Sequence, residues 1–270
     1  MAVKERGFIE GISDAFICII SAPFYLVKGV IKGIVFLFKK LSQKEKEEKI
    51  EGRRKLMKAN YNEFKILESD DGDLKKWEKN VAGKSKIGLI LGARGSGKTA
   101  FGLKLLENIY AKTGKKCYGL GFVAEEMPLW VEVIEDIGKI KNNSVVLIDE
   151  GGVLFSSRRA MTNANKILSD LILISRHKNL SIIFISQNSA NLDVNIIREA
   201  DFLALKPSSL LQKDFERKKI KELYEELEKK FSVYKDKKGI TYIYSDDFIG
   251  FVLNPLPSFW SDKIGKSFGQ

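Results

Sequence analysis

Two kinds of apolar spacing divide the chain. From Phe8 to Phe38 most positions are apolar, and the few polar ones (Glu10, Asp14, Ser21, Tyr25, Lys28, Lys32 and then Lys39) recur at helical spacing along one narrow stripe. This pattern predicts an apolar helical segment over 1–40 that is membrane-embedded or deeply interfacial and kinked or broken at Pro23. Its polar seam would face a partner helix, water or headgroups. The competing reading is a helix packed on a domain or on another subunit, since Lys28 and Lys32 interrupt the uncharged run that a simple spanning helix needs. A secretory signal fits less well, because acids stand near the start and no small-residue cleavage site is evident.

Beyond a charged connector the spacing changes to short apolar runs alternating with amphipathic stretches. Strands are predicted at Ile87–Leu91, Lys116–Val123, Ser144–Glu150, Leu180–Ser186 and Asp201–Leu205. Helices are predicted at Ala100–Tyr110, Pro128–Ile137, Thr162–His177 and Leu192–Glu199. Val145 to Ile148 are four consecutive apolar residues, as in a strand covered on both faces. The alternation predicts an α/β fold, a three-layer, mainly parallel sheet with right-handed crossovers. After Pro207 come a highly charged helix (Ser209–Phe231), a β-hairpin over Gly239–Leu253 turned at Ser245–Asp247, and a tail with Pro255, Pro257 and Trp260 that reads as a docking strip. Tyr61 to Asn80 is expected to be a lead-in with a turn at Asp70–Asp73, with Trp77 packed over the core or over a bound base. The expected organisation is 1–40 apolar segment, 41–80 connector, 81–207 core and 208–270 C-terminal helix, hairpin and tail.

Composition changes this picture little, but charge does. The chain of 270 residues carries a net +11, and residues 1–60 hold 13 Lys or Arg against 7 Asp or Glu. Residues 61–270 therefore carry only +5, so the excess suits a membrane-proximal segment at least as well as a nucleic-acid face. If the apolar stretch spans once, the positive connector and the core after it lie in the cytoplasm. Cys18 and Cys117 lie in unrelated segments, which leaves no disulfide framework or zinc site and makes a reducing compartment the default.

The candidate chemistry sits at two strand ends. Residues 92–99 (Gly92, Ala93, Arg94, Gly95, Ser96, Gly97, Lys98 and Thr99) satisfy every position of G-x-x-x-x-G-K-S/T between a strand and a helix beginning at Ala100. The glycines let several backbone N–H groups converge on one anion, Lys98 adds a point charge, Thr99 offers a hydroxyl to Mg²⁺, and the helix dipole favours the same phosphate. Asp149 and Glu150 end the buried strand at the edge where parallel sheets bind ligands. Asp149 is placed to hold Mg²⁺ through water, and Glu150 to polarise an attacking water. Gln187, at the tip of the next strand, can sense a γ-phosphate and orient water. Asn188 could do the same, and capping is the alternative for both.

Together, GARGSGKT, SVVLIDEGG and SRHKNLSIIFISQNSANLDVNIIREAD resemble the P-loop ATPases of the FtsK/HerA superfamily. The similarity is to the N-terminal domain of the zonular occludens toxin and filamentous-phage assembly ATPases, and then to viral genome-packaging ATPases. Arg176, His177, Gln187 and Asp193–Asp201 match that layout, and the resemblance covers roughly Lys86 to Pro207. It implies a RecA-like core that binds ATP and Mg²⁺ and forms a homo-oligomer, usually a hexameric ring. In such a ring an arginine of one subunit (Arg158, Arg159 or Arg176) completes the neighbouring site. Departures are Arg94 within the loop and Gly151-Gly152 in place of the Ala-Gln common in the phage-assembly group. The functional expectation is a membrane-tethered ATPase that moves DNA in packaging, conjugation or segregation, at the cytoplasmic face of a membrane or the host cell membrane if viral. The alternatives are an ATPase driving virion or filament assembly and export with a coat or membrane protein partner, and a nucleotide-dependent binding switch.

Overall fold

The alternation of core side chains along the central strands explains the architecture. In the computed structural model, which describes residues 32, 35–150, 160–192, 194–209 and 213–266, Ile90, Val145, Leu147 and Ile183 face one apolar cluster. Their neighbours Leu89, Leu91, Val146, Ile148 and Ile182 face another. A strand apolar on both faces is stable only when covered on both, so the sheet is the middle of three layers.

In chain order the elements are α1 (35–56), β1 (Lys65–Gly72), α2 (Leu74–Gly83), β2 (Ile87–Leu91), α3 (Lys98–Thr113), β3 (Lys116–Leu120), β4 (Val131–Val133) and β5 (Ser144–Asp149). There follow α4 (Ala160–Lys178), β6 (Ser181–Ile185), α5 (Val194–Arg198), β7 (Phe202–Leu205), α6 (Lys218–Val233), β8 (Ile240–Ser245), β9 (Phe248–Leu253) and α7 (Asp262–Lys266). Residues 1–53 and 54–270 are two separate compact units. Among the described residues no helix is long and apolar enough to cross a membrane. Most of the Phe8–Phe38 stretch lies outside the described residues, and so do Gly151, Gly152, Arg158, Arg159 and Asp193.

The second unit carries a nine-stranded sheet in the order β1-β9-β8-β7-β2-β6-β5-β3-β4. From β4 to β7 every pair is parallel; β8, β9 and β1 continue the sheet antiparallel. The α/β fold and mainly parallel sheet expected from the alternation are present. The C-terminal hairpin also forms, and β8 pairs directly with β7, so it extends the central sheet.

Local expectations change at the margins. Pro128–Ile137 is a short edge strand followed by a turn, not a helix: Val131 is buried, Glu132 exposed and Val133 half-buried, the period of two that a strand needs. Within the lead-in, Lys65–Gly72 pairs with β9, and Asp73 caps α2 by accepting from the Lys75 amide at 2.9 Å. Trp77 is a core residue, packed edge-on against Phe202 with centroids 5.2 Å apart, and takes no part in a base site. The charged C-terminal helix begins at Lys218, later than Ser209. The tail does dock: Phe259 is buried against Trp130, and the Ser258 amide donates to Glu107 Oε2 at 3.1 Å.

Candidate active site

The site lies where the parallel strands end. β2 stops at Leu91, the chain loops through residues 92–97, and α3 begins at Lys98. Two glycines make this path possible. Gly92 has φ of 147°, and a Cβ there would come 2.6 Å from Lys206 Cβ; Gly97 caps α3 in the left-handed region at φ 89°. The loop is held from beneath by the end of β7, since the Lys206 amide donates to Leu91 O (2.8 Å) and the Ala93 amide to Pro207 O (3.0 Å).

Lys98 is the charge at the centre of this loop. It is buried, and its Nζ donates to the carbonyls of Gly92 at 2.8 Å and Ala93 at 2.9 Å. Burial pulls its pKa down to about 8 while Asp149 and Glu150 push it back up, so all three residues share one electrostatic pocket. Thr99 Oγ1 donates to Asp149 Oδ2 at 3.0 Å, which joins the first turn of α3 to the tip of β5. Among the described residues, Ser96 Oγ is buried in the loop with no hydrogen-bond partner. An orphaned donor beside converging backbone amides, a cation and a helix N-terminus fits an incoming phosphate.

Strand order brings the second carboxylate into place. β6 lies between β2 and β5, and the register pairs Asp149 with Ile185, so Glu150 arrives beside Ser186. Ser186 Oγ donates to Glu150 Oε2, and the Ser186 amide donates to Ile90 O of β2 at 3.0 Å. Burial raises the Glu150 pKa; the Ser186 hydroxyl lowers it, Asp149 raises it further, and the Gln187 amide and Lys98 lower it. A carboxylate held this way is fixed in orientation and more basic than an exposed one, as a proton acceptor should be.

The sequence places these residues at strand ends, and the structure brings together Lys98, Thr99, Asp149, Glu150 and the Gln187 backbone. The Gln187 side chain is exposed, as is Arg94, whereas Ala100 is buried under the loop. Asn188 acts as a cap, accepting from the Ala190 amide at 2.7 Å. Arg176 is not in this pocket. It ends α4 beside the start of β6, roughly 16 Å of strand away, exposed and paired with Glu199 at 3.1 Å.

Two residues at the site are not singled out by the sequence pattern. Ser186 looks there like no more than the end of a strand, although a hydroxyl beside Gln187 at a sheet tip is a usable signal. Lys206 is fully buried, and its Nζ donates to Asn254 Oδ1 at 2.7 Å, Ile240 O at 3.0 Å and Gly239 O at 3.3 Å. Burial draws its pKa down to about 7, and the three oxygens satisfy the protonated amine. Its signal is a lysine directly after the apolar run of β7 and before Pro207.

In sequence, residues 102–206 match the family "Zonular occludens toxin (Zot)"; the span includes Asp149, Glu150, Ser186 and Lys206 and begins just after the glycine-rich loop. Comparison with curated proteins finds no match. Similar solved structures include the DNA-packaging ATPase B204 from Sulfolobus Turreted Icosahedral Virus, at 14% identity and TM-score 0.41 over 63% of this chain and 98% of that one. B204 from Sulfolobus turreted icosahedral virus 2 in complex with ATP-gammaS is 17% identical, with TM-score 0.44, over 64% and 98%. The pCW3 conjugation coupling protein TcpA with ATPgS is 14% identical, with TM-score 0.43, over 68% and 64%. At these levels of similarity, what the site does is decided by its own residues. The complete phosphate loop and the acid pair facing it give this chain the constellation of a P-loop ATPase, and its residues 102–206 are similar to the Zot family.

Proposed function

We propose that the chain is a membrane-tethered, oligomeric ATPase that couples hydrolysis of ATP to the movement of DNA, working at the cytoplasmic face of a membrane or at the host membrane if viral. The observation that carries the catalytic part is the single pocket in which Lys98, Thr99, Asp149 and Glu150 face one another. In this reading the loop amides of 92–97, Ser96 and Lys98 bind the phosphates, while Ala100 closes the loop onto the sheet. Thr99 and Asp149 would hold Mg²⁺, which supplies charge neutralisation at the phosphate oxygens when bound. Glu150, oriented by Ser186 and the Gln187 amide, takes the proton of the attacking water, and the Gln187 side chain reaches the terminal phosphate. Charge that develops on the phosphoryl oxygens calls for one more cation. The candidates for donation from a neighbouring subunit are Arg158, Arg159 and Arg176, the last of them outside its own pocket and paired with Glu199.

The motif layout of residues 86–207 supports DNA as the load. The Zot match favours a second reading, an ATPase that drives assembly and export of a virion or filament through the membrane with a coat or membrane protein partner. Steady-state turnover with and without duplex DNA across a salt series, together with particle mass in ATP, separates them. A motor gives a ring-sized particle and DNA-stimulated turnover that falls steeply with salt, as phosphate contacts release counterions. Turnover that ignores DNA and rises with a membrane or coat protein supports assembly, and a monomer in ATP removes the ring.

A further inference from the structure

The edge of the parallel sheet opposite the nucleotide loop has a consistent chemistry. The segments leading into β2, β3, β5 and β6 carry Lys84 and Lys86, Lys115 and Lys116, Lys141, and Lys178 respectively. Asp201 pairs with Lys86 at 2.9 Å and Glu199 with Arg176 at 3.1 Å. Lys84, Lys116 and Lys141 are exposed, and among the described residues no carboxylate pairs with them. Further acids of this edge stand at its antiparallel end, where Asp70 and Asp71 lie in the last residues of β1, Asp73 follows it, and Asp246 and Asp247 turn the hairpin. Lys230 and Lys76 there are paired with Asp70 and Asp247. Lys84, Lys116 and Lys141 thus stand on the parallel part, away from the acids of the hairpin end.

At its β3–β4 end the same edge is also apolar. An open groove of about 680 Å³ is bordered by Arg54, Lys58, Tyr110, Leu129 and Trp130. Tyr110 and Trp130 stack at 4.8 Å, and Leu56 and Leu129 are 81% and 44% exposed. Arg54 is fixed here by donating from Nε to Met127 O at 2.8 Å, so the first residues of the ATPase unit lie at this edge. Lysines around exposed leucines and amphipathic aromatic rings suit a bilayer interface better than a nucleic-acid groove, and Lys and Trp are the side chains such interfaces hold.

We propose that this edge is a docking face for anionic phospholipid headgroups, which would turn the nucleotide pocket away from the bilayer. The proposal rests on the membrane reading above and adds to it which face meets the lipid. The apolar stretch would supply a charge-independent hold, and the face a charge-dependent one.

The test uses the full chain with phosphatidylcholine vesicles, with vesicles containing a third phosphatidylglycerol, and with duplex DNA, comparing wild type with the triple variant Lys84→Gln, Lys116→Gln, Lys141→Gln. Each lysine near an anionic surface is worth about fivefold in partitioning, so the variant should bind anionic vesicles about a hundredfold more weakly than wild type. Binding to neutral vesicles and ATP turnover should stay within twofold, and 0.5 M salt should abolish the difference, since roughly 4 Å of screening remains. Equal anionic-vesicle binding by both proteins would overturn the proposal. So would a loss confined to DNA, which would make the edge a nucleic-acid surface. Failure of the wild type to bind neutral vesicles would remove the apolar tether while leaving the anionic comparison to decide the face.

Discussion

The two edges of the parallel sheet use the same side chain for opposite purposes. At the edge where the strands end, Lys98 is 7% exposed, stands within reach of two buried acids and has its pKa drawn down to about 8. At the edge where they begin, Lys84, Lys116 and Lys141 stand in solvent with no carboxylate partner among the described residues. Burial makes the first lysine part of a reactive constellation, because charges interact strongly where water is excluded. Exposure makes the others a diffuse field that adds little to stability and acts only on a large anionic partner. A count of lysines treats the two groups alike; only depth below the surface separates them.

The contrast breaks first at Lys98. Replacing it with alanine should lower nucleotide affinity and turnover by at least about 10³-fold, since it removes the buried cation of the loop; equilibrium binding of an unhydrolysable ATP analogue that matched wild type would defeat the assignment. Glu150→Gln should leave that binding intact and reduce kcat by about 10²–10⁴-fold, the usual contribution of a general base. A Glu150→Gln enzyme turning over at the wild-type rate would remove its role as proton acceptor.

Ser186→Ala sharpens the picture with a smaller effect. Losing one hydrogen bond to a charged acceptor should cost about tenfold in kcat. It should also move the acid limb of kcat/KM to higher pH, because the hydroxyl that lowers the Glu150 pKa is gone. In the same profile the alkaline limb should fall near pH 8 as Lys98 loses its proton. An alkaline limb that stays flat to about pH 10, the ordinary range of a lysine, would show that Lys98 keeps its charge despite burial.

The smallest effect concerns Lys206, the buried lysine with no acid beside it. Its folded pKa of about 7 lies below that of the unfolded amine, so the unfolded state binds more protons between these values, and stability should rise with pH from about 7 towards 10. One such group contributes up to about 1.4 kcal/mol per pH unit. Lys206→Met should remove that slope between about pH 7 and 8 in denaturant titrations repeated across pH, leaving the contribution of Lys98, which spans a narrower window beginning above about pH 8.

Much of the ATPase unit was legible because local rules and tertiary structure agree there. The loop motif requires its strand and helix, and the run Val145–Ile148 can only be a doubly covered strand, so β2, α3 and β5 lie where the spacing puts them. Legibility fails at the sheet's margins. Lys65–Gly72 is a strand only because β9 offers it an edge; its own sequence, rich in Asp and Glu, has poor strand preference. The proline at 128 reads as a helix start, yet Val131 finds a partner in Cys117 of β3 and the segment pairs instead.

By itself, the sequence determined the chemistry of the pocket: a glycine-rich turn that can gather amides, a lysine and a hydroxyl at fixed spacing, and two acids at the end of a buried strand. These follow from steric freedom, charge and apolar periodicity, all local properties. The tertiary structure alone decided that β6 lies between the loop strand and the acid strand, that Ser186 therefore holds Glu150, and that the lysine just after β7 supports the loop while its amine is held by the C-terminal hairpin. Strand order is a global outcome of packing two apolar faces at once, and no stretch of residues carries it alone.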